Sequence, residues 1–224
     1  LAAGRQGLDV AVPTCGDWRE SDLLTHVARV YRRAATAVSE RATAEVPWPV
    51  DDEDPADPVA ACADALDELV HALSTSEPES PAWNWSGADQ TAGFWARRMA
   101  HESAVHRYDA QRAHGLAQPV DADLAHDGID ELVDLIVPRV LRRDDARLPT
   151  ATVVFSATDD AGRWELRLDG KSVERVDATS EPDVTVGGTA SALLLAAYNR
   201  VPWTSLEVSG DSAVLDAWSA ALRF

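Results

Sequence analysis

Two side chains four residues apart on one predicted helix, Glu102 and His106, could bind a single metal ion. Helical periodicity over residues 89–114 predicts one stripe about 80° wide on that helix. The stripe contains Trp95, Met99, Glu102, His106, Asp109 and Ala113. Charged groups in the middle of a core-facing stripe are costly to bury unless they are paired or bind a metal. The pattern therefore predicts a metal site or, alternatively, polar core residues paired with an arginine such as Arg98.

The neighbouring His101 does not complete a zinc-protease motif. That motif needs two histidines four residues apart, whereas His101 and His106 are five apart and point about 140° away from each other on a helix. A third ligand must come from another element. We select His26, because it borders the apolar stripe of a long predicted helix, while the other histidines lie near helix ends or on polar faces. Two histidines and one glutamate leave a coordination position open, as in catalytic zinc sites.

Composition excludes several classes of partner. The chain carries 38 acidic and 20 basic side chains, a net charge of -18, so phosphate backbones and anionic membrane surfaces would be repelled. No apolar stretch approaches bilayer length. Cys15 and Cys62 form no CxxC pair and have no local histidine or basic context, so we expect a reducing cytoplasm and inert thiols. Because the sequence begins at Leu1 without an initiator Met, we expect an upstream segment.

The pattern along the chain changes from helical to strand-like near its middle. Helices are predicted over about 17–44, 58–74, 89–114 and 121–141, which suggests a four-helix bundle. Alternating segments after Pro149 predict an antiparallel sheet, joined by helices at about 189–198 and 211–222. We therefore predict an α plus α+β protein with two domains, a helical bundle over 1–146 and a small α+β domain over 147–224.

Two segments resemble the signature regions of the mycothiol-dependent maleylpyruvate isomerase family. They are residues 12–26, which include Val-Pro-Thr-Cys-Gly-Asp-Trp, and residues 98–110, with Arg-Met-Ala-His-Glu-Ser-Ala-Val-His-Arg-Tyr-Asp-Ala. The resemblance implies a DinB-like four-helix bundle that holds a divalent metal through His26, Glu102 and His106. Where many members have Pro-Gly before the tryptophan, this chain has Gly-Asp, which leaves the three ligands unchanged.

The second half resembles the smaller C-terminal domain of the same family, which is related to sterol-carrier proteins. The matching segments are residues 183–188, 198–200 and 206–211. This resemblance implies Arg200 as the residue that would bind the carboxylate of an acidic substrate through a bidentate contact. A surface salt bridge is the alternative reading of Arg200.

The resemblance also implies the chemistry, with mycothiol as a thiol cosubstrate and Zn²⁺ or another divalent metal as cofactor. A thiol on such a metal loses its proton, which would supply a nucleophile to a chain whose own cysteines look inert. An isomerase would add the thiolate to a cis double bond and release it after rotation, whereas an S-transferase would leave it attached to a small electrophile. The alternatives are a metal-dependent hydrolase, with Asp109 as its base, and a non-enzymatic small-ligand binding protein.

Three further residues are assigned roles around the metal. Asp109 is a catalytic candidate that could orient an imidazole, unless it pairs with a neighbouring arginine. Trp85 and Arg98 are candidates for cofactor binding, although loop tryptophans also pack over bundle ends. We expect a small electrophile and a thiol as partners, no nucleic acid or membrane, and a monomer or weak dimer.

Overall fold

The computed structural model describes residues 7–50, 55–87, 89–159, 161–177 and 181–223. Their contacts divide the chain into two units, Leu1–Gln118 and Pro119–Phe224. The described residues of the first unit form three α-helices. These are α1 (Glu20–Ser39), α2 (Pro58–Ser74) and α3 (Ala92–Ala113). Helix α1 is shorter than the predicted helix over 17–44. It ends before Arg41, where the backbone turns to a positive φ of 49°.

Local sequence explains where these helices begin. Asp57 caps α2 by accepting hydrogen bonds from the N–H groups of Val59 and Ala60, and Pro58 occupies the first turn, where its missing N–H costs nothing. The Thr91 side chain caps α3 in the same way by accepting from Phe94 N–H. Each cap satisfies amide donors that have no partner within the helix, so the start of α3, and with it the position of Glu102 and His106, is defined locally.

The three helices pack their apolar faces into one core. From α1 come Leu23, Val27, Ala34 and Val38, from α2 Ala65 and Leu69, and from α3 Trp95 and Met99. Every one of these side chains is at most 7% exposed. Burial of large apolar side chains contributes roughly 1.5–3 kcal/mol each, so this core can hold α1 and α3 in the fixed relation that a shared site requires.

The second unit contains one five-stranded sheet and several helices. The strands are β1 (Leu148–Ala157), β2 (Arg163–Gly170), β3 (Ser172–Arg175), β4 (Val184–Gly188) and β5 (Glu207–Gly210), in the order β3-β2-β1-β4-β5. The helices are α4 (Ala122–Glu131), a π-helical segment (Leu132–Ile136), α5 (Val137–Leu141), α6 (Ala190–Ala197) and α7 (Ala213–Ala221). The expected mixture of a helical part and an α+β part is therefore confirmed at the level of fold class.

The antiparallel pairing predicted for the three segments after Pro149 is confirmed, because β1–β2 and β2–β3 are antiparallel. The prediction gave no orientation for the later strands: β4–β5 is antiparallel, whereas β1 and β4 run parallel, with Val153 opposite Val184. Alternate residues of these strands, such as Val153, Phe155 and Leu166, are fully buried. The pairing of Phe155 with Trp164 continues the same inward face.

The boundary between the two units also differs from the prediction. We placed it at 146/147, whereas the contacts place it at 118/119, so the fourth predicted helix lies with the sheet. The physical reason is that the fully buried Ile129 and Leu132 belong to a stripe that packs within the second unit, where α4 contacts α6. Asp130 adds a polar anchor, because its carboxylate accepts a 2.7 Å hydrogen bond from Trp164 Nε1 of β2.

None of the helices in the described parts of the chain is long and apolar enough to cross a membrane.

Candidate metal centre

The three predicted metal ligands converge within the first unit. His26 projects from α1, and Glu102 and His106 project from successive turns of α3. Glu102 Oε1 lies 3.3 Å from His26 Nε2 and 3.2 Å from His106 Nε2. One ligand atom from each residue lies within 4.8 Å of the other two. Two imidazole nitrogens and a carboxylate oxygen facing one point are a donor set that fits a divalent metal such as Zn²⁺.

The two imidazole rings are held at different depths. The His26 side chain is 33% exposed, whereas those of Glu102 and His106 are 14% and 13% exposed. The ring of Trp18 packs on His26 with a centroid distance of 5.0 Å, and the rings of His26 and His106 meet edge to face at 5.2 Å. Trp18 therefore restricts the His26 ring, and the exposed side of His26 leaves room for a ligand to approach the set.

Glu102 is shared between the histidines and an arginine. Its Oε2 accepts a hydrogen bond from Nη2 of the buried Arg98, while Oε1 faces His26 and His106. Burial alone would raise the pKa of Glu102, but the charges of His106 and Arg98 outweigh it and hold this pKa well below its usual range. The carboxylate is therefore ionised. The sequence predicted two alternatives for Glu102, a metal site with histidines or a pair with Arg98. The structure places Glu102 beside both histidines and also pairs it with Arg98.

Asp109 contacts His106 at the ring nitrogen opposite the one that faces Glu102. His106 Nδ1 lies 2.9 Å from Asp109 Oδ2, and the Asp109 side chain is fully buried. With its proton on Nδ1 the ring would direct the Nε2 lone pair toward His26 and Glu102, which is the tautomer a metal ligand needs. Burial disfavours the charged imidazole, but Glu102 and the hydrogen bonds with Asp109 and Cys15 raise the pKa of His106 well above its usual range.

Residues of the loop before α1 also reach this site, which the sequence reasoning missed. Thr14 Oγ1 donates a 2.6 Å hydrogen bond to Asp109 Oδ1. Cys15 Sγ belongs to a second group of close ligand atoms, together with His106 and Asp109. We had expected no histidine near either cysteine, because the sequence around Cys15 contains none. The signal in the sequence that points to Thr14 and Cys15 is the segment 12–26, which resembles a signature region of the family. We used that segment to recognise the family and assigned no role to either residue.

The remaining predicted site residues have the following positions. His101 is buried and belongs to neither group of close metal-ligand atoms found in the described residues. Trp85 is half-buried, and its ring packs edge to face on Phe94 at 6.0 Å, as expected for a loop tryptophan that covers a bundle. Arg200 lies in the second unit, where Nη1 donates to the Tyr198 carbonyl at 2.9 Å. The roles of Trp85, Arg98 and Arg200 toward a cofactor or substrate stay predictions.

A helical unit that directs two imidazoles and a carboxylate to one point defines a candidate metalloprotein. The family model for the mycothiol maleylpyruvate isomerase N-terminal domain matches residues 2–111, and that for the MDMPI C-terminal domain matches residues 123–217. The chain therefore belongs to the mycothiol maleylpyruvate isomerase family. The second match begins in α4, which agrees with the contact division at 118/119.

Two other comparisons add little. A search of curated proteins found no significant match. A solved structure of a double mutant of the sec-alkyl sulfatase PisA1 is 17% identical to the chain, with a TM-score of 0.33. That match covers 100% of this chain but only 32% of the sulfatase chain. A likeness at this level carries no argument about fold or activity.

Proposed function

We propose that the protein is a metal-dependent enzyme that uses mycothiol as a thiol cosubstrate and attacks a small electrophile, as an isomerase or an S-transferase. The observation that carries the proposal is the convergence of His26, Glu102 and His106 within 4.8 Å in a chain of this family. Such a set leaves a coordination position for a ligand from outside the chain. The positions of Trp18 and His26 support an approach from the exposed side of the set.

The residues present would divide the work as follows. His26, Glu102 and His106 would hold Zn²⁺ or another divalent ion, and such an ion lowers the pKa of a coordinated thiol so that it is a thiolate at neutral pH. Asp109 would keep the His106 ring in the ligand tautomer. Arg98 would fix the second oxygen of Glu102, so that Oε1 is kept for the metal.

Isomerase and transferase chemistry share their first step. The thiolate sulfur would form a bond to one carbon of an activated double bond, and the electron pair would move to the activating carbonyl. In an isomerase the bond between the two carbons rotates, the C–S bond breaks, and the thiolate is released unchanged. In a transferase a proton from solvent completes the adduct, or a leaving group departs with the electron pair. The geometry of the first unit supports both outcomes equally.

We also propose the finer assignments that the resemblance implies. The helical unit would be DinB-like, the α+β unit would be the domain related to sterol-carrier proteins, and the protein would act in the cytoplasm as a monomer or weak dimer. Trp85 would contribute to the thiol pocket. Arg200 would bind a carboxylate only if the substrate is acidic, and one of its hydrogen bonds in the structure goes to the Tyr198 carbonyl.

The test is to load the purified protein with Zn²⁺ and incubate it with mycothiol and a panel of electrophiles that includes maleylpyruvate. Conjugates would be detected by mass and cis-to-trans conversion by absorbance. We expect His26→Ala and Glu102→Gln to lose both the stoichiometric metal and the activity, while His71→Ala, an exposed histidine of α2, keeps both. Hydrolysis of an ester panel without thiol would favour the hydrolase alternative. A protein that binds no divalent ion would contradict both enzyme readings.

A further inference from the structure

A cavity of about 380 Å³ lies between α1, α2 and α3 in the first unit. This volume falls at the lower end of the roughly 300–1,000 Å³ that small-molecule sites occupy. Apolar side chains from all three helices line it, among them Leu23, Leu24 and Val27 of α1, Leu66 of α2 and Ala110 of α3. The cavity is therefore large enough for a compact ligand and has mainly apolar walls.

His106 connects this cavity to the candidate metal centre. On α3 the cavity is lined by Ser103, His106, Arg107, Ala110 and Gln111, whereas the ligand stripe contains Glu102, His106 and Asp109. At about 100° per residue the two faces lie on either side of His106, which belongs to both. A molecule in the cavity would therefore contact the ring that also faces His26 and Glu102.

Apart from His106, the polar side chains that the three helices place on the inner wall are neutral, and two of them, Tyr31 and Ser103, bond to each other. The Tyr31 hydroxyl lies 2.6 Å from Ser103 Oγ. The Ser103 hydroxyl donates in turn to the Met99 carbonyl at 2.5 Å. Burial raises the pKa of Tyr31 and of the Cys62 thiol, so both keep their protons at neutral pH. Among the lining residues, Arg107 is exposed, which places its charge at the rim. Away from His106, the inner wall thus offers little to compensate a charge brought into it.

We propose that this cavity holds the electrophile, and that the electrophile is a compact, uncharged molecule with an apolar body rather than a dicarboxylate. The inference rests on the proposed function, because it takes the group beside His106 to be the one that the thiolate attacks. The new C–S bond would form at the end of the electrophile nearest His106, while its apolar body fills the space among Leu23, Val27 and Leu66. A neutral substrate would leave Arg200 without a substrate carboxylate to bind.

Binding can be tested without any reaction by using a matched pair of unreactive probes, dimethyl succinate and succinate. Titration calorimetry of the metal-loaded protein should give a dissociation constant for the diester at least about tenfold below that for the dianion. Leu66→Glu should weaken diester binding by about tenfold or more, because it adds a carboxylate to the wall. Val70→Glu, at an exposed position of the same helix outside the wall, should leave binding unchanged.

Reaction is tested with dimethyl maleate and maleate, which share the same double bond. Each enzymatic rate with mycothiol is divided by the uncatalysed rate with mycothiol, which removes the difference in intrinsic reactivity. The ratio should be higher for the diester. If metal- and thiol-dependent activity is found but prefers maleate, the proposed function stands and this inference falls. If neither compound reacts while dimethyl succinate binds and Leu66→Glu abolishes that binding, the apolar pocket stands and the proposed function falls.

A labelling experiment with the unmodified chain covers the case in which Leu66→Glu does not fold. Cys62 lies in the cavity wall, so methyl methanethiosulfonate must enter the cavity to reach its thiol. Dimethyl succinate should slow the labelling of the Cys62 peptide, measured by mass, and succinate at the same concentration should not. Equal protection by both compounds, or by neither, would overturn the inference.

Discussion

The hydroxyl of Thr14, in the loop before α1, donates a 2.6 Å hydrogen bond to Oδ1 of Asp109 on α3. The other oxygen of the same carboxylate lies 2.9 Å from His106 Nδ1. A chain of contacts therefore runs from the loop through a fully buried carboxylate to an imidazole that faces the candidate metal position. Such partners orient a ligand ring and raise its basicity, although they do not touch the metal.

Replacing the buried carboxylate should weaken metal binding without removing a ligand. In Asp109→Asn the side chain keeps its shape but loses the charge that holds the proton on His106 Nδ1. We expect the affinity for Zn²⁺ to fall by about 10–100-fold, the usual range for partners of this kind. Competition with a chromogenic chelator measures it. Asp67→Asn, at an exposed position of α2, is the matched control, and equal affinities in the two variants would rule out a positioning role for Asp109.

Removing the hydroxyl of Thr14 should have a smaller effect on the metal and a measurable effect on stability. Thr14→Val is nearly isosteric and leaves Asp109 Oδ1 without this donor. A hydrogen bond to a charged group contributes about 1.5–3 kcal/mol, so the free energy of unfolding should fall by that order. Urea titration followed by tryptophan fluorescence measures it. Thr43→Val, at an exposed position, is the control. If it lowered the free energy of unfolding by the same amount, the loss would come from replacing any threonine by valine and not from the contact with Asp109.

The sequence predicted the parts of the site that lie on periodic elements. Glu102 and His106 were found because a helix converts a spacing of four residues into spatial proximity, and His26 because it borders an apolar stripe. Thr14, Cys15 and Trp18 were missed, since loop residues follow no periodicity, and the contact between Thr14 and Asp109 spans 95 residues of sequence. The convergence of α1 and α3 is a consequence of core packing, which no local pattern encodes.

The same limit explains two features of the fold that the sequence did not predict. Alternation identified β1 and β4 as strands but could not predict that they pair in parallel, because alternation does not specify a partner. Likewise the apolar stripe that contains Ile129 predicted a helix correctly but not the layer on which it packs. In the structure that stripe packs in the unit of the sheet, and the Trp164–Asp130 hydrogen bond fixes it there.

Gly210 at the end of β5 should tolerate no side chain. Its φ is 102°, and a Cβ added there would lie 2.2 Å from the Asp183 carbonyl oxygen on the neighbouring segment. We expect Gly210→Ala to destabilise the second unit by more than about 4 kcal/mol, because both backbone strain and a backbone clash must be relieved. Gly170→Ala, with φ of 59° and open space at Cβ, isolates the strain alone at about 1–2 kcal/mol. Urea unfolding measures the loss of unfolding free energy in each variant. Equal losses in Gly210→Ala and Gly170→Ala would contradict a backbone clash at Gly210.

Glu20 at the start of α1 should make stability decrease as pH rises. The side chain is fully buried, neither oxygen has a hydrogen-bond partner among the described residues, and His114 Nε2 lies 4.0 Å from Oε2. Burial raises the pKa of Glu20, and the charge of His114 offsets this only in part. The folded chain therefore keeps the proton over a pH window in which the unfolded chain has lost it. Across that window, upward from an ordinary value of 4.5, the free energy of unfolding falls.

Glu20→Gln keeps the size of the side chain but cannot ionise, so it should remove this loss. We expect the variant to unfold at a higher urea concentration than the parent at about pH 8, by an amount on the order of 1 kcal/mol, and the difference to shrink toward about pH 5. Glu79→Gln, at an exposed position, is the control. It measures how much stability a strongly acidic chain gains when one negative charge is removed from its surface. If the two variants gave parallel pH profiles, the general reduction of negative charge would explain the gain, and the buried carboxyl of Glu20 would carry no part of it.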